Sequence, residues 1–257
     1  MPDVSRKVWT YWDARPLPIE VKEAIASWRK CLPGYEITVL DDSSVAGVAP
    51  PTYSQLVPAA KSDVVRCHAL ATNGGIWMDA TITLRDGLDW IFSSNPSAIL
   101  YAFQFPNILH IENWFLAVRG EEGRRLMAMW RDSFYRIVAH WPNVENFYGP
   151  ARTHNPRYFM MYEAFAHLVM RDPSFQRLRK KVHAMDARIY MARPDGWAGS
   201  DTRLVKYTKG GRRFRRRMRY VMNIAPIVVV VLLLVAWRRR LYPRRVESRA
   251  RILARLE

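Results

Sequence analysis

Apolar residues follow two different periods along this 257-residue chain, and the first switch between them comes within forty positions. Arg6 to Trp12, "RKVWTYW", is rich in β-branched and aromatic residues and predicts a strand. In "PIEVKEAIASWRK" the spacing changes, and Val21, Ile25 and Trp28 share one helix face. "YEITVL" then alternates as a strand and stops at Asp41-Asp42. A strand–helix–strand opening predicts a parallel α/β unit. A helix follows from about Ala60 to Thr72, ended by the stop signal Asn73-Gly74. "NGGIWMDATITL" (Asn73 to Leu84), "AILYAF" and "WFLAV" read as further strands. Glu122 to Trp141 predicts an amphipathic helix with Leu126, Trp130, Phe134, Ile137 and Trp141 along one side. An apolar helix around Tyr158 to Met170 and a basic one around Phe175 to Val182 complete the body. This order predicts a mixed sheet with the Asp79 strand near its centre.

Charge divides the chain in two. Residues 1–202 carry 23 Lys/Arg against 21 Asp/Glu, whereas residues 203–257 carry 17 against 2. The body is therefore nearly neutral, and the basicity belongs to the tail. Within that tail lies the one long apolar run, "YVMNIAPIVVVVLLLVAW", Tyr220 to Trp237, between "RRFRRRMR" and "RRRLYPRR". Its 18 residues would span roughly 27 Å as a helix, close to a hydrocarbon core. Tyr220 and Trp237 sit where interfacial aromatics belong, and the arginines suit anionic headgroups. Asn223 and Pro226 weaken the first turn, so a shallow or re-entrant insertion is an alternative to a span. The expected division is a globular domain over 1–202, a basic segment over 203–219, a membrane-inserted helix over 220–237 and a basic end over 238–257. Cys31 and Cys67 have no metal-ligand or redox spacing, which favours a reducing compartment. "MPDVSRKVWTYW" offers no signal-peptide run.

The chemistry concentrates in "SDVVRCHALATNGGIWMDATITL". Asp63 and Arg66 stand three apart on a helix and share a face. A Gly-Gly turn, Gly74-Gly75, then leads to Asp79 near the end of an apolar strand. In open α/β sheets ligands bind beyond the carboxyl ends of strands. A carboxylate there, beside a helix bearing Asp and Arg, can hold a divalent cation and a diphosphate together. Ser62 is placed to cap the helix or to meet the same ligand. The plainer alternatives are an i,i+3 ion pair for Asp63/Arg66 and a solvated turn for Asp79. Glu112 and Asn113, before "WFLAV", are candidates for the acceptor side or for a loop cap. His154 and Asn155 precede a helix, where capping is the ordinary role. His110 and His183 are lone histidines without an assigned role. No Ser/His/Asp or Cys/His arrangement stands out, and no P-loop or G-x-G-x-x-G fingerprint.

"SDVVRCHALATNGGIWMDATI" resembles the S-D-x-x-R…L…G-G-x-(W/Y)-x-D core of glycosyltransferases with a DXD sugar-binding region. These include the family 32 enzymes and the related capsular polysaccharide synthesis proteins. "KVWTYWDARPLPIEVKEAIASWRKCLPGYEITVLDD", "NWFLAV" and "HNPRYFMMYEAFAHLVMRDPSF" are similar to other blocks of those families. The resemblance runs from about Arg6 to Val182. It implies a GT-A-like nucleotide-diphospho-sugar transferase fold with a mostly parallel central sheet, and a nucleotide-sugar donor. By position, Trp9 would stack on the nucleobase, and Asp63 and Arg66 would contact sugar, ribose or phosphate. Asp79 would meet a Mn²⁺ or Mg²⁺ ion and the diphosphate. The second DXD position is Thr81 here, able to contribute only a hydroxyl or a water. In related enzymes a C-terminal loop completes the metal shell, and "RPDGWAGSD" (Arg193 to Asp201), with Asp195, Trp197 or Ser200, is the candidate. Trp197 is also a candidate on the acceptor side.

The expected activity is transfer of a sugar from a nucleotide donor to a glycan or lipid-linked acceptor. The body would face the cytoplasm at a membrane, with retained anomeric configuration if family 32 is the right comparison. Two other classes compete with it. One is a degenerate transferase fold kept as a membrane scaffold, suggested by Thr81. The other is a nucleic-acid binder acting through the arginine-rich tail, against which the apolar run between the arginine clusters counts.

Overall fold

A computed structural model describes residues 4–144, 155–192 and 201–207 of the chain. Its centre is a six-stranded sheet in the order β2-β1-β3-β6-β5-β7. The strands are β1 (Lys7–Tyr11), β2 (Glu36–Leu40), β3 (Gly75–Met78), β5 (Leu100–Gln104), β6 (Glu112–Val118) and β7 (Val182–Asp186). Neighbouring pairs are parallel except on either side of β6, which runs against β3 and β5. The sheet is therefore mixed and mostly parallel, and the strand leading to Asp79 is central, as the order of elements predicts. A second, smaller sheet pairs β4 (Ile82–Leu84) with β9 (Leu204–Tyr207), and β9 with β8 (Met191–Ala192).

Side-chain alternation explains why both faces of the main sheet are covered. Trp9, Tyr11, Trp77, Leu100, Leu116 and Val118 point into one core. Their neighbours Val8, Ile76, Met78, Tyr101, Phe103 and Ala117 point into the other. A strand buried on both sides reads as continuously apolar, which is how β3, "GIWM", reads. On the first face lie α2 (Pro58–Asn73), α4 (Gly120–Val138), α5 (Pro156–Arg171) and α6 (Pro173–Arg179). On the second face lie α1 (Ile19–Cys31), α3 (Asp89–Ser93) and the small sheet. Helix α1 is tied to β4 by two polar contacts beneath its buried face. The Trp28 indole donates to the Ile82 carbonyl at 2.9 Å, and the Leu84 amide donates to Ser27 Oγ at 3.0 Å.

Connectivity places the site. From β1 the chain crosses by α1 to β2 on one side, and from β2 it crosses back by α2 to β3 on the other. The carboxyl ends of β1 and β3 therefore flank the point where the winding reverses, which is where ligands of open α/β sheets bind. Helix α2 runs opposite to β3. From Arg66 to the helix end is about 10 Å, and from the start of β3 to Asp79 about 13 Å. That return path sets Asp63 and Arg66 beside Asp79.

Several boundaries differ from expectation for local reasons. Asn73 to Leu84 is not one strand. After Met78 the Asp79 amide still bonds Trp114 O of β6, at 2.9 Å, but Ile82 N turns back to Asp79 O and starts β4 in the other sheet. Helix α4 stops at Val138, leaving Trp141 just beyond it. The basic helix ends at Arg179, and Val182 opens β7, drawn into parallel pairing with β5. The body also continues past residue 202, because β9 belongs to the small sheet. Among the described residues no helix is long and apolar enough to cross a membrane. The apolar run 220–237 and its basic flanks, 208–219 and 238–257, lie outside the described residues.

Gly75 shows how tightly β3 is fitted. Its φ is +83°, and a Cβ there would stand 2.7 Å from the Lys7 carbonyl and 3.2 Å from Trp9 Nε1. Left-handed backbone alone costs a non-glycine residue about 1–2 kcal/mol, and the carbonyl cannot yield without breaking the β1–β3 pairing. Gly75→Ala is expected to lower the unfolding free energy by about 2 kcal/mol or more. Urea denaturation tests this: the midpoint should fall with the slope unchanged, and an unmoved midpoint would show the fit to be loose.

Candidate active site

Asp79 lies immediately after β3, and its side chain keeps 24% of its surface exposed. Three donors converge on it. Arg66 Nη2 reaches Oδ1 at 2.8 Å, the Trp77 indole reaches the same oxygen at 3.0 Å, and Lys206 Nζ closes on Oδ2. Lys206 also donates to Thr81 Oγ1 at 2.9 Å. Burial alone would raise the Asp79 pKa, but Lys206, Arg66 and these hydrogen bonds outweigh it and hold the carboxyl at about 2. Asp79 is thus an anion throughout the physiological range.

Arg66 is the best buried of the charged groups that pair here, with 3% of its side chain exposed. Its guanidinium lies over the Trp77 ring, 4.8 Å from the centroid, and pairs with Asp63 as well as Asp79. Its Nε has no hydrogen-bond partner among the described residues. Asp63 also accepts from Asn113 Nδ2 at 3.1 Å. Asn113 Oδ1 in turn accepts from the Tyr162 hydroxyl at 2.8 Å, and Tyr162 also reaches Glu112 at 3.2 Å. Burial drives the Asp63 pKa up to about 6, with the Asp79 charge adding to the rise and Arg66 opposing it. Burial likewise raises Glu112, eased by its bond from Tyr162. The two carboxylates on one guanidinium are thereby split, one held low and one raised.

The predicted residues are only partly brought together. Asp63, Arg66, Asp79, Thr81, Glu112 and Asn113 form one connected network on the carboxyl edge of β1 and β3. Gly74 and Gly75 do not join it, because they open β3 at the opposite edge. Trp9 is 9% exposed, and its indole N–H is spent on the Gly74 carbonyl at 2.9 Å. Ser62 does not cap α2, which begins four residues earlier with Val57 in the cap position and Pro58 behind it. Asn155 does cap, accepting from the Tyr158 amide at 3.2 Å. His110 lies edge-on to Tyr162, and His183 bonds Ser94. His154, Asp195, Trp197 and Ser200 lie outside the described residues.

Sequence reasoning missed Lys206, Tyr162, Trp77 and Met161, whose sulfur meets Arg66 at 3.4 Å and Asn113 at 3.3 Å. Trp77 was the accessible one, since it precedes Asp79 by two and so shares its side of the chain. Lys206 gives no local sign. It follows Asp79 by 127 residues and is delivered by the pairing of β9 with β4, where it stands opposite Ile82. A second polar cluster sits on the same edge, at the ends of β1 and β2. Tyr11, Tyr53 and Lys61 all donate to Asp42, at 2.5, 2.9 and 2.6 Å.

The described residues do not fit a divalent cation at Asp79. Both of its oxygens face cationic side chains, Thr81 Oγ1 is taken by the same lysine, and no group of three or more His, Cys, Asp or Glu side chains assembles among them. Hard cations want several anionic or neutral oxygens and no competing cation in the shell. The described residues thus leave Mn²⁺ or Mg²⁺ no free oxygen on Asp79 or Thr81, and residues 193–200 of the loop expected to complete a metal shell lie outside them.

The split between the carboxylates has a consequence for stability. Because the folded Asp63 pKa is raised from 3.8 to about 6, the folded state binds more protons than the unfolded one between those values. Its contribution to stability therefore declines as pH rises from about 4 to about 6. Thermal melts of Asp63→Asn and wild type across pH 4–7 should show the variant gaining relative to wild type over that window. A difference independent of pH would place the Asp63 pKa at its ordinary value.

The profile of the capsular polysaccharide synthesis protein family matches residues 2–195. Among curated proteins, the glycosyltransferase afumC of Aspergillus fumigatus is 25% identical over 240 residues. That match takes in 76% of this chain, which spans 57% of the length of that relative. An active-site mutant of LgtC shares 12% identity over 82% of this chain and 94% of its own, with a TM-score of 0.46. The PaToxG glycosyltransferase shares 14% over 69% and 73%, with a TM-score of 0.43. Likeness at that level is distant, and the fold described above stands on its own strands and helices. The family match takes in β1 through β8 and every described residue of the Asp63–Arg66–Asp79 network except Lys206, so this chain belongs to the capsular polysaccharide synthesis protein family.

Proposed function

We propose that this protein is a GT-A-fold glycosyltransferase that moves a sugar from a nucleoside-diphosphate donor to a glycan or lipid-linked acceptor. The observation that supports it best is the placement of Asp79, Arg66 and Lys206 at the winding reversal between β1 and β3. A paired anion and two cations at that crevice suit a diphosphate and the hydroxyls of a sugar. The family description and the name of the curated relative point the same way. In the reaction the bond from the anomeric carbon to the β-phosphate oxygen breaks, and its electron pair stays on that oxygen. The acceptor hydroxyl forms the new bond to the anomeric carbon, and its proton passes to the departing diphosphate. Asp63 and Asp79 hold the guanidinium beneath the donor, and fixed charges of this kind need no reorganisation as the leaving group develops charge. In this reading Glu112 and Asn113, at the start of β6 on the same edge, stand on the acceptor side. Retention of anomeric configuration is the stereochemical outcome that goes with this reading.

Hydrolysis of a panel of nucleotide sugars by the full chain, beside Asp79→Ala, tests the assignment. One donor should be hydrolysed, and the variant should lose about a hundredfold or more of the rate while keeping the wild-type circular dichroism. Folded protein without turnover on any donor or acceptor would favour the scaffold reading.

We further propose that the arginine-flanked run 220–237 holds the protein at anionic membranes with its body in the cytoplasm. Sedimentation with vesicles measures this. Binding should require anionic lipid and weaken with salt, and equal binding to neutral vesicles or preference for RNA would refute it.

A further inference from the structure

We propose that Lys206, acting with Arg66, takes the donor's diphosphate directly, in the position that a divalent cation would fill were Thr81 a second aspartate. The inference rests on the transferase reading above and goes beyond it. The Lys206 ammonium contacts Asp79 Oδ2 and Thr81 Oγ1, so one Nζ bridges the same two positions, i and i+2, that a two-aspartate motif offers to its ion. Arg66 occupies the other Asp79 oxygen. The carboxylate therefore serves as a holder for two cations rather than as a metal ligand. A divalent ion brought there would face two positive side chains across a single carboxylate, whereas a diphosphate meets charge of the right sign.

The lysine is not a loose surface group that happens to fall there. Its side chain is 13% exposed, against 24% for Asp79. Its backbone is fixed on both sides, by Lys206 N to Tyr190 O at 2.8 Å and Tyr207 N to Thr81 O at 3.2 Å. The strand that carries it is in register with β4 across three residue pairs. An ammonium is a compact point charge suited to phosphate oxygens, and Arg66 adds a planar guanidinium beside it. When the donor bond breaks, the electron pair arriving on the β-phosphate oxygen meets these two cations, and the acceptor's proton completes the balance on that same group. Lys206 lies beyond residue 195, where the family match ends.

Calorimetric titration of the full chain with UDP, GDP, ADP and dTDP, in EDTA and then in Mn²⁺, tests the proposal. One nucleotide should bind in EDTA with an affinity within about threefold of that in Mn²⁺. Lys206→Met should weaken it by about tenfold or more, the size expected for a lost charge-assisted contact, and Lys206→Arg should recover most of the loss. Binding lost in EDTA and restored by Mn²⁺ would overturn the inference while leaving the transferase reading intact, and this comparison needs no variant to fold. Unchanged affinity in a folded Lys206→Met would overturn it too. Failure of every nucleotide under both conditions would overturn the transferase reading and the inference together.

Discussion

A guanidinium with 3% of its side chain exposed has to be neutralised where it lies, and the architecture around Arg66 answers that requirement. Removing a charge from water costs several kcal/mol, and the attraction to its partners offsets that cost only with good geometry. Two carboxylates from two elements supply the geometry, Asp63 from the same helix and Asp79 from the turn after β3. Trp77 contributes its face to the guanidinium and its N–H to Asp79, so one aromatic residue orders both partners. If α2 slid along the sheet by one turn, Arg66 would keep only Asp63, and Asp79 would keep only Trp77 and Lys206. The helix register and the site are in this sense one constraint.

Hydrogen bonds from Asp63 spread that constraint outward. Asn113 joins Asp63 to Tyr162, and Tyr162 joins the antiparallel strand β6 to α5. Because β6 runs against its neighbours, its first residues, Glu112 and Asn113, stand at the same edge as the last residues of β1 and β3. One reversed strand in an otherwise parallel sheet thereby supplies polar groups to a crevice that parallel strands reach only with their ends.

Much of this was legible in the sequence because it is encoded locally. Periodicity found α1, α2, α4 and α5, and the S-D-x-x-R and G-G-x-W-x-D spacings put Asp63, Arg66 and Asp79 on neighbouring elements. What failed to show was set by partners far along the chain. The break between β3 and β4 depends on Ile82 N turning back to Asp79 O and on β9 pairing with β4, and the strand at Val182 depends on β5 lying free to pair with it. Gly74 and Gly75 looked like a ligand-approach turn, and instead Gly74 caps α2 and Gly75 lets β3 pass close to the Lys7 carbonyl. Lys206, in "LVKY", differs in no visible way from a surface lysine on a short strand. Only the pairing of β9 with β4 gives it meaning.

That pairing also sets an order of events during synthesis. The stretch from β1 to β7 holds nearly the whole of both apolar cores and can collapse as soon as it has left the ribosome. Lys206 is made 127 residues after the carboxylate it meets and belongs to β9, which follows β7 in the chain. Until β9 inserts, Asp79 has Arg66 and Trp77 alone, and the edge of β4 is bare. The pairing of β9 with β4 thus completes the charge pattern on a fold whose cores lie mostly in the preceding elements.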